Sequence, residues 1–228
     1  MNSFYRRLFM TLVLFGAALA AGGASAPTQE PAPASPQAAL QRLLEGNRRF
    51  ASGLTIHPNY PAERRLELVE GQKPFAVIVG CSDSRTAPTI VFDRGLGDLF
   101  VVSLAGNVVD PIAIESVGYA VNTLETPLVC VLGHEKCGAV SAAVKYGTGA
   151  PGLEHLMATL QPAVDSARRE PGDLVHNAIL ENVKRVMGEL RNAVQLKPRL
   201  EAGKVRVCGG VYNLESGHVE LIGPDCSR

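Results

Sequence analysis

The sequence of 228 residues has no tryptophan, no excess of charge of either sign and few aromatic side chains. Its 22 basic and 22 acidic residues give a formal net charge of zero, and the basic residues form no stripe along the chain. Because nucleic-acid-binding proteins usually carry a basic patch, we expect no nucleic-acid partner. The sequence contains no internal repeats, and we expect no second domain. With 46% hydrophobic residues, the chain is long enough to bury one sizeable core.

One longer apolar run lies near the N-terminus. Arg6 and Arg7 precede the apolar residues 8–20, and small residues continue to Ala26. A basic start, a short apolar run and a small-residue region are typical of a secretory signal peptide, and the run is too short for a comfortable membrane span. We therefore predict a signal peptide over residues 1–26, cleaved between residues 20 and 26. The mature protein is expected to be periplasmic or secreted, with no stable membrane span.

The pair Arg6 and Arg7 leaves two export routes open. Followed by apolar residues, the pair resembles the twin-arginine signal, which exports folded cargo, but Tyr5 stands where that signal usually has Ser or Thr. An ordinary Sec signal is the alternative. Residues 27–36 are rich in Pro and Ala, with too little apolar content to fold, and are predicted to be a linker that precedes a domain over residues 37–228.

The five cysteines of an exported chain raise the question of disulfides. Cys130 lies within an apolar run and is most simply a small buried hydrophobic residue. Cys208 and Cys226 lie near a predicted C-terminal hairpin and could form a disulfide in an oxidising compartment. Free thiols are the default expectation for this pair. Cys81 and Cys137 are better used as metal ligands.

The pattern of apolar runs predicts one α/β domain. Residues 75–79 and 127–132 are continuous apolar runs, as in strands buried on both faces, and residues 99–102 form a third short strand. Strands that alternate with helices indicate a mostly parallel central sheet flanked by helices. The sequence predicts helices at 37–52, at 111–124, from just after 134 to 145, at 153–168 and at 174–194, and a C-terminal β-hairpin at 205–222.

Two polar clusters directly follow two of these strands. Cys81, Asp83 and Arg85 follow the first strand, and His134 and Cys137 follow the strand that ends at residue 132. If the two strands are neighbours, both clusters emerge at the same edge of the sheet. Two thiolates and a neutral imidazole are ligands of a catalytic zinc site with an open fourth position. We predict that Cys137 lies on the first turn of the next helix, whose N-terminus stabilises a thiolate.

Asp83 could act in either of two ways at such a site. It could occupy the fourth position and close the site, or it could accept a hydrogen bond from a zinc-bound hydroxide. Arg85 is placed to pair with Asp83 and draw it off the metal. Since two thiolates cancel the formal charge of zinc, the ion is a weaker Lewis acid than in an all-histidine site, and a nearby carboxylate matters more. A closed structural site of two Cys, one His and one Asp is the alternative.

Both clusters and several other segments of the chain resemble the β-class carbonic anhydrases. The resemblance covers nearly the whole mature region. It rests on the segments LLEGNRRF (43–50), QKPF (72–75), CSDSR (81–85), GDLF (97–100), AGN (105–107), GHEKCG (133–138) and YNLESG (212–217). It implies reversible hydration of carbon dioxide to bicarbonate and a proton. Zinc would be held by Cys81, His134 and Cys137, and Asp83 with Arg85 would form the catalytic dyad.

The resemblance also implies a substrate pocket and an oligomer. By matched position, Gln72, Phe100, Tyr119 and Gly138 would line the pocket. Such pockets form at a dimer interface in this family, so a homodimer or homotetramer is expected, with the N-terminal helix packing on a partner subunit. Some family members hold an inhibitory bicarbonate with a Trp and an Arg. The matching positions here are Ile78 and Ser103, so that regulatory pocket is expected to be absent.

Two other interpretations stay open on the same residues. The first is a related zinc hydrolase of carbonyl sulfide or carbon disulfide, with the same ligands and a different tunnel. The second is a non-catalytic zinc-binding protein of the same fold. The pair Asp83 and Arg85 argues against the second, because a purely structural site has no use for a releasable carboxylate.

Overall fold

The structure, a computed structural model, describes residues 32–223 and Cys226. The predicted signal peptide and the first residues of the linker lie outside this range. No helix in the described part of the chain has the length and apolar content needed to cross a bilayer. The helices are α1 (Pro36–Ala51), α2 (Ala62–Glu67), α3 (Pro88–Val91), α4 (Pro111–Asn122), α5 (Gly138–Tyr146), α6 (Glu154–Ala167), α7 (Leu174–Asn192) and α8 (Lys197–Glu201). The strands are β1 (Ala76–Gly80), β2 (Leu99–Ser103), β3 (Leu128–His134), β4 (Arg206–Tyr212) and β5 (Val219–Ile222).

The five strands form one sheet in the order β2-β1-β3-β4-β5. The first four are parallel, and β5 runs antiparallel to β4, which confirms the predicted mostly parallel sheet with a C-terminal hairpin. Every residue of β1 and β3 is buried, as expected for strands covered on both faces. Strand β1 lies between β2 and β3, so Gly80 pairs with both Ser103 and Leu132.

Local side-chain chemistry determines where α1 and α4 begin. The Ser35 side chain accepts a hydrogen bond from the Ala38 N–H at 3.1 Å, and the Asp110 carboxylate accepts one from the Ala113 N–H at 2.7 Å. Each cap satisfies an amide that has no partner within its helix. Pro111 stands at the first turn of α4, where its missing N–H is not needed. The predicted start of α4 is therefore confirmed.

Helix α7 packs closely on β3 and β4 because those strands carry glycines beneath it. A Cβ atom at Gly209 would lie 2.3 Å from the Met187 sulfur, and one at Gly133 would lie 2.6 Å from a Val183 methyl carbon. Both distances are too short for real atoms, so any side chain at these positions would push the helix away. The close approach brings the middle of α7 near the end of β3, where the predicted metal ligands lie.

Helix α1 packs against its own chain. Leu40 and Leu43 are fully buried there, and the Asn47 side chain donates to the carbonyls of Val91 at 3.1 Å and Gly217 at 2.8 Å. This buried amide ties the helix to the hairpin. The predicted contact of α1 with a partner subunit would therefore use another face of the helix, and it stays a prediction.

The sequence patterns did not reveal three short helices. Helix α2 and the 3₁₀ turn Leu68–Glu70 lie between the predicted first helix and first strand, and the sequence predicted neither these two elements nor α3 and α8. Helices α2, α3 and α8 have six, four and five residues, which is too short for a periodic apolar pattern to develop. The longer helices α6 and α7 begin and end within two residues of the predicted bounds.

Three of the five cysteines, Cys130, Cys208 and Cys226, lie close together at strands β3 and β4. Cys130 pairs with Cys208 across β3 and β4, and the Gly209 N–H donates to the Cys226 sulfur at 3.4 Å. All five cysteines fall in the described residues, and all are buried thiols in the structure. A disulfide between Cys208 and Cys226 in an oxidising compartment stays a prediction, which a thiol count under denaturing conditions decides.

Candidate metal centre

Two neighbouring strands end at the metal centre. Cys81 directly follows β1, and His134 is the last residue of β3. The two strands are parallel neighbours, so their carboxyl ends meet at one edge of the sheet. The tight turn after His134 passes through Lys136, whose φ is 52°, and returns Cys137 to the same edge.

The side chains of Cys81, His134 and Cys137 converge. Their potential ligand atoms all lie within 4.8 Å of one another, and all three residues are buried. They are the one such group of His, Cys, Asp or Glu side chains found within residues 32–223 and Cys226. The convergence predicted from the two sequence clusters is therefore confirmed.

The histidine is held in the orientation that a metal requires. His134 Nδ1 lies 2.9 Å from the Glu135 carbonyl oxygen, and because a carbonyl only accepts, Nδ1 carries the proton. The other nitrogen, Nε2, is buried and has no hydrogen-bond partner among the described residues. A buried imidazole nitrogen with no hydrogen-bond partner, beside two sulfur atoms, is the donor set of a zinc ion. The residues present thus fit this metal.

Cys137 differs slightly from its predicted position. We expected it on the first turn of a helix that begins just after His134, but its backbone is extended, with φ −64° and ψ 118°, and α5 starts at Gly138. Cys137 therefore occupies the position before the helix, because the reversal at Lys136 must be completed first. The hydrogen bond to Cys81 and burial raise the pKa of Cys137, and the N–H groups of Val140 and Ala139 at the start of the helix oppose this shift only in part.

The two thiols influence each other, so that Cys81 ionises far more readily than Cys137. A hydrogen bond from Cys137, assisted by His134 and the Gly106 N–H, lowers the pKa of Cys81 to about 4. The hydrogen bond to Cys81, together with burial, raises the pKa of Cys137. Burial disfavours the charged imidazole of His134, but contact with the Cys81 thiolate outweighs it and raises the pKa of the ring. A divalent cation would replace these protons.

Asp83 and Arg85 form a pair with two parallel hydrogen bonds beside the three ligands. Arg85 Nε donates to Asp83 Oδ1 at 2.9 Å and Nη2 donates to Oδ2 at 2.8 Å, while the Arg85 amide also donates to Oδ1 at 3.0 Å. The guanidinium group holds the pKa of the Asp83 carboxyl well below its usual range. Asp83 Oδ2 lies 3.9 Å from His134 Nε2. The carboxylate is thus ionised, close to the ligands, and turned toward Arg85.

The loop that carries this pair is itself fixed. The Thr86 hydroxyl donates to the Asp83 carbonyl at 2.9 Å, and the Thr86 amide donates to the same oxygen at 3.1 Å. Arg85 Nη2 also donates to the Lys136 carbonyl at 3.2 Å. The guanidinium therefore joins the two ligand-bearing loops, a function that the sequence analysis did not identify.

Of the four predicted substrate-pocket residues, only Gly138 lies at the metal centre of the same chain. Gly138 directly follows Cys137, and a Cβ atom there would meet nothing within 4 Å, so the space beside it is open. Phe100 pairs with Val77 in the sheet, four residues before Cys81, or about 13 Å along the strand at 3.3 Å per residue. The Tyr119 ring lies 6.3 Å from the Phe100 ring. Gln72 precedes β1, at the opposite end of that strand from Cys81.

Two further residues are linked to the site by hydrogen bonds, Gly106 directly and Asn182 through Gly106. The sequence analysis identified neither. The Gly106 N–H donates to the Cys81 sulfur at 3.2 Å, and the buried Asn182 side chain donates to the Gly106 carbonyl at 2.7 Å. A signal for Asn182 was present, because it is the one amide on the buried face of α7, which otherwise carries apolar residues. Gly106 lay in a segment that supported the family resemblance, but no role had been derived for it.

The sequence and fold both match known proteins. The family model described as carbonic anhydrase matches residues 76–219. Carbonic anhydrase 2 of Mycobacterium tuberculosis is 39% identical over 192 residues, which cover 82% of this chain and 93% of that protein. The solved structure of the β-carbonic anhydrase CcaA aligns with a TM-score of 0.64 and 26% identity over 81% of this chain and 99% of its own.

A second solved structure extends the agreement in fold. It comes from a report of two tetrameric β-carbonic anhydrases of Sordaria macrospora, and it aligns with a TM-score of 0.65 and 23% identity over 79% of this chain and 94% of its own. The family model thus spans more than half of the chain, and the aligned region contains the strands and ligands that build the metal centre. The chain belongs to the β-class carbonic anhydrases.

Proposed function

We propose that Cys81, His134 and Cys137 hold the zinc with which this enzyme hydrates carbon dioxide to bicarbonate, and that Asp83 and Arg85 are its catalytic pair. The observation that carries this proposal is the convergence of two sulfurs and a buried imidazole nitrogen that has no hydrogen-bond partner, beside an ionised carboxylate. When bound, zinc lowers the pKa of a water molecule, so that a nucleophile forms near neutral pH.

Asp83 orients the nucleophile. Its carboxylate is ionised and lies 3.9 Å from His134 Nε2, so it can accept a hydrogen bond from a water molecule at the ligand cluster. With that O–H directed at Asp83, a lone pair of the water oxygen is free to attack the carbon of carbon dioxide. The new C–O bond forms as a C=O π bond breaks, and the proton of the water passes to solvent, which leaves bicarbonate.

Arg85 keeps Asp83 available for this task. Its two hydrogen bonds to the carboxylate hold the pKa of Asp83 low and keep both oxygens directed toward the guanidinium. A carboxylate without this partner could instead serve as a fourth ligand and close the site. The arrangement with Asp83 on Arg85 therefore favours the open form of the site and leaves the carboxylate free to accept a hydrogen bond from the nucleophile.

We propose that the active form is a homodimer or a homotetramer of such dimers. Phe100 lies four residues along the sheet from Cys81, the Tyr119 ring contacts Phe100, and Gln72 precedes β1 at its opposite end, so a second copy would have to supply these three residues to the site. Strand β2 is an edge strand, and beside it Val101, Ile112 and Tyr119 are 40%, 68% and 49% exposed. An apolar edge of this kind supports a partner that covers it.

We propose that the enzyme acts outside the cytoplasm. The proposal is supported by the basic residues Arg6 and Arg7, the apolar run after them and the small residues that follow. Fractionation of cells that express the full chain tests it, with N-terminal sequencing of the mature protein. Replacing Arg6 and Arg7 by Lys distinguishes the routes, because the twin-arginine route is blocked by this change and an ordinary Sec signal tolerates it.

Metal analysis paired with a stopped-flow hydration assay tests the proposed activity. We expect one zinc per chain and hydration of carbon dioxide that rises with pH as the nucleophile forms. Turnover of carbonyl sulfide and carbon disulfide is measured on the same sample. A zinc-loaded protein that prefers either sulfur compound, or that hydrates no carbon dioxide at alkaline pH, would contradict the proposal.

A further inference from the structure

The Cys81 sulfur accepts a backbone hydrogen bond from a glycine that no other residue type could replace easily. The Gly106 N–H lies 3.2 Å from Cys81 Sγ, in a buried 3₁₀ turn, Ala105–Asn107. Gly106 has a φ of 69°, which a side chain disfavours, and a Cβ atom there would lie 3.3 Å from the Ala139 and Leu160 side chains. The position of this N–H therefore depends on the exact orientation of one tightly packed turn.

The turn is fixed from the other side by Asn182 of α7. The Asn182 side chain is fully buried, and its Nδ2 donates to the Gly106 carbonyl at 2.7 Å. The contact joins residues 76 positions apart in the chain. An amide on the apolar face of a helix is costly unless it is hydrogen-bonded, so its placement opposite this one carbonyl requires an explanation.

The orientation of the Asn182 amide is set by a third residue. Arg185 Nη2 donates to Asn182 Oδ1 at 3.1 Å, and Arg185 in turn pairs with Glu189 one turn further along α7. Because a guanidinium only donates, the oxygen of Asn182 must face Arg185 and its NH₂ must face Gly106. Arg185, Asn182, Gly106 and Cys81 thus form a series of hydrogen bonds in which the donor and the acceptor of each bond are determined.

We propose that Asn182 is a positioning residue for the metal: it holds the Gly106 N–H against the Cys81 sulfur and so tunes how strongly that sulfur binds zinc. The inference rests on the proposed function, since it requires Cys81 to be a zinc ligand. An N–H directed at a thiolate fixes the direction of its lone pairs, so a displaced N–H leaves the sulfur misaligned and zinc bound more weakly, although the N–H also withdraws some electron density from the sulfur. At a site where two thiolates cancel the charge of the ion, this withdrawal leaves the metal a stronger Lewis acid.

The test replaces the amide and measures the metal, not only the activity. Asn182→Asp keeps the shape and the contact with Arg185 but places a carboxylate oxygen against the Gly106 carbonyl. Asn182→Ala, which leaves room for a bridging water, is the milder second variant. We expect Asn182→Asp to weaken zinc binding about 10-fold to 100-fold in competition with a chelator. We also expect a shifted sulfur-to-metal charge-transfer band in the cobalt(II)-substituted protein.

The matched control is Asn47→Asp. Asn47 is equally buried and its NH₂ also donates to backbone carbonyls, but it ties α1 to the hairpin and contacts neither ligand loop. Asn47→Asp should lower stability toward denaturant while zinc affinity and the cobalt spectrum stay those of the wild type. If Asn47→Asp weakens zinc binding as much as Asn182→Asp does, general destabilisation is the cause and the inference is overturned.

Two other outcomes separate this inference from the function on which it rests. If the wild type binds zinc, and Asn182→Asp and Asn182→Ala have the same zinc affinity and cobalt spectrum as the wild type, only the positioning role is overturned. If Cys81→Ser binds zinc as tightly as the wild type does, the proposed ligand set and the inference are both overturned. Weaker binding in Asn182→Asp, an intermediate effect in Asn182→Ala and a normal control support it.

Discussion

The metal centre and the predicted substrate pocket differ in how much of each a single chain can build. Cys81, His134 and Cys137 come together within one chain, because β1 and β3 are adjacent parallel strands that end at the same edge. Phe100 and Tyr119 contact each other, but they lie on the side of the sheet formed by β2 and α4, well before the strand ends. The metal ligands thus come together within one chain, whereas Phe100 and Tyr119, which are predicted to line the pocket, do not join them.

This difference separates two kinds of requirement. A metal site needs a few ligand atoms within a few ångströms, which the turns after two neighbouring strands can supply. A pocket for a small apolar gas needs walls that exclude water on several sides, and at this edge one chain leaves the space beside Gly138 open. Four changes follow in order of the size of their expected effect. The first three test this difference between the metal centre and the predicted pocket, and the fourth tests a contact outside both.

Removing a ligand should abolish both zinc binding and activity. Cys137→Ser replaces a thiolate by a hydroxyl group that ionises far less readily, so we expect metal-free protein and loss of essentially all hydration. Metal analysis and stopped-flow kinetics measure the two effects. Cys130→Ser is the matched control, since Cys130 is also buried, on the same strand as His134, but burial raises its pKa to about 12 and it faces no ligand. Equal zinc content in the two variants would remove Cys137 from the ligand set.

Neutralising Asp83 should separate catalysis from metal binding. Asp83→Asn removes the charge that accepts the hydrogen bond of the nucleophile, and we expect a loss of about 10² to 10⁴ in the rate of hydration with zinc retained. Arg85→Gln should lower the rate as well, because it frees the carboxylate to approach the metal. Rates normalised to bound zinc are the measurement. Full activity per zinc in Asp83→Asn would show that the carboxylate plays no part.

Disrupting the β2 edge should weaken the pocket while the metal centre stays intact. Val101→Glu places a charge on the exposed edge strand, and we expect dissociation into single chains and a fall in activity of up to about 100-fold, because substrate would be poorly positioned. Analytical ultracentrifugation and activity per zinc are measured together. Val194→Glu, at a residue that is 75% exposed before α8, is the control. A single chain with full activity would end the proposal that a partner completes the pocket.

The smallest expected effect is on the stability of the fold, through a contact outside the metal centre and the predicted pocket. The fully buried Asp93 carboxylate accepts hydrogen bonds from Arg49 at 2.6 Å and from the His57 amide at 3.0 Å. Although burial opposes ionisation, these contacts lower the pKa of Asp93. The resulting stabilisation is present above the ordinary carboxyl pKa of about 3.9 and is lost as the pH falls through the lower folded-state value.

We therefore expect Asp93→Asn to lower the free energy of unfolding by about 2 kcal/mol at neutral pH, with the difference from wild type shrinking below pH 4 or so. Denaturant unfolding of the two proteins across the pH range measures it. Zinc content should not change. Asp165→Asn, at an exposed carboxylate on α6, is the control and should alter stability little at any pH. A difference that grows as the pH falls would contradict the sign of this argument.

Most of the fold was predictable because its signals are local and strong. Continuous apolar runs predicted β1 and β3, and Asp110 before Pro111 predicted the start of α4, since a cap and a proline at the first turn act within four residues. The ligands were predictable for the same reason, as each lies at the end of a strand or within three residues of it. The short helices α2, α3 and α8 were not, because fewer than two turns leave no periodic pattern.

The sequence by itself determined the chemical groups available at the site: two thiols, an imidazole, a carboxylate and a guanidinium, each placed at the end of an apolar run. Only the tertiary structure decided that Lys136 reverses the chain before α5 begins, and that Arg85 joins the two ligand loops. Only the tertiary structure placed Asn182 against Gly106. The physical reason is distance along the chain: capping and burial act between near neighbours, whereas hydrogen bonds that link residues 76 positions apart depend on how helices pack on the completed sheet.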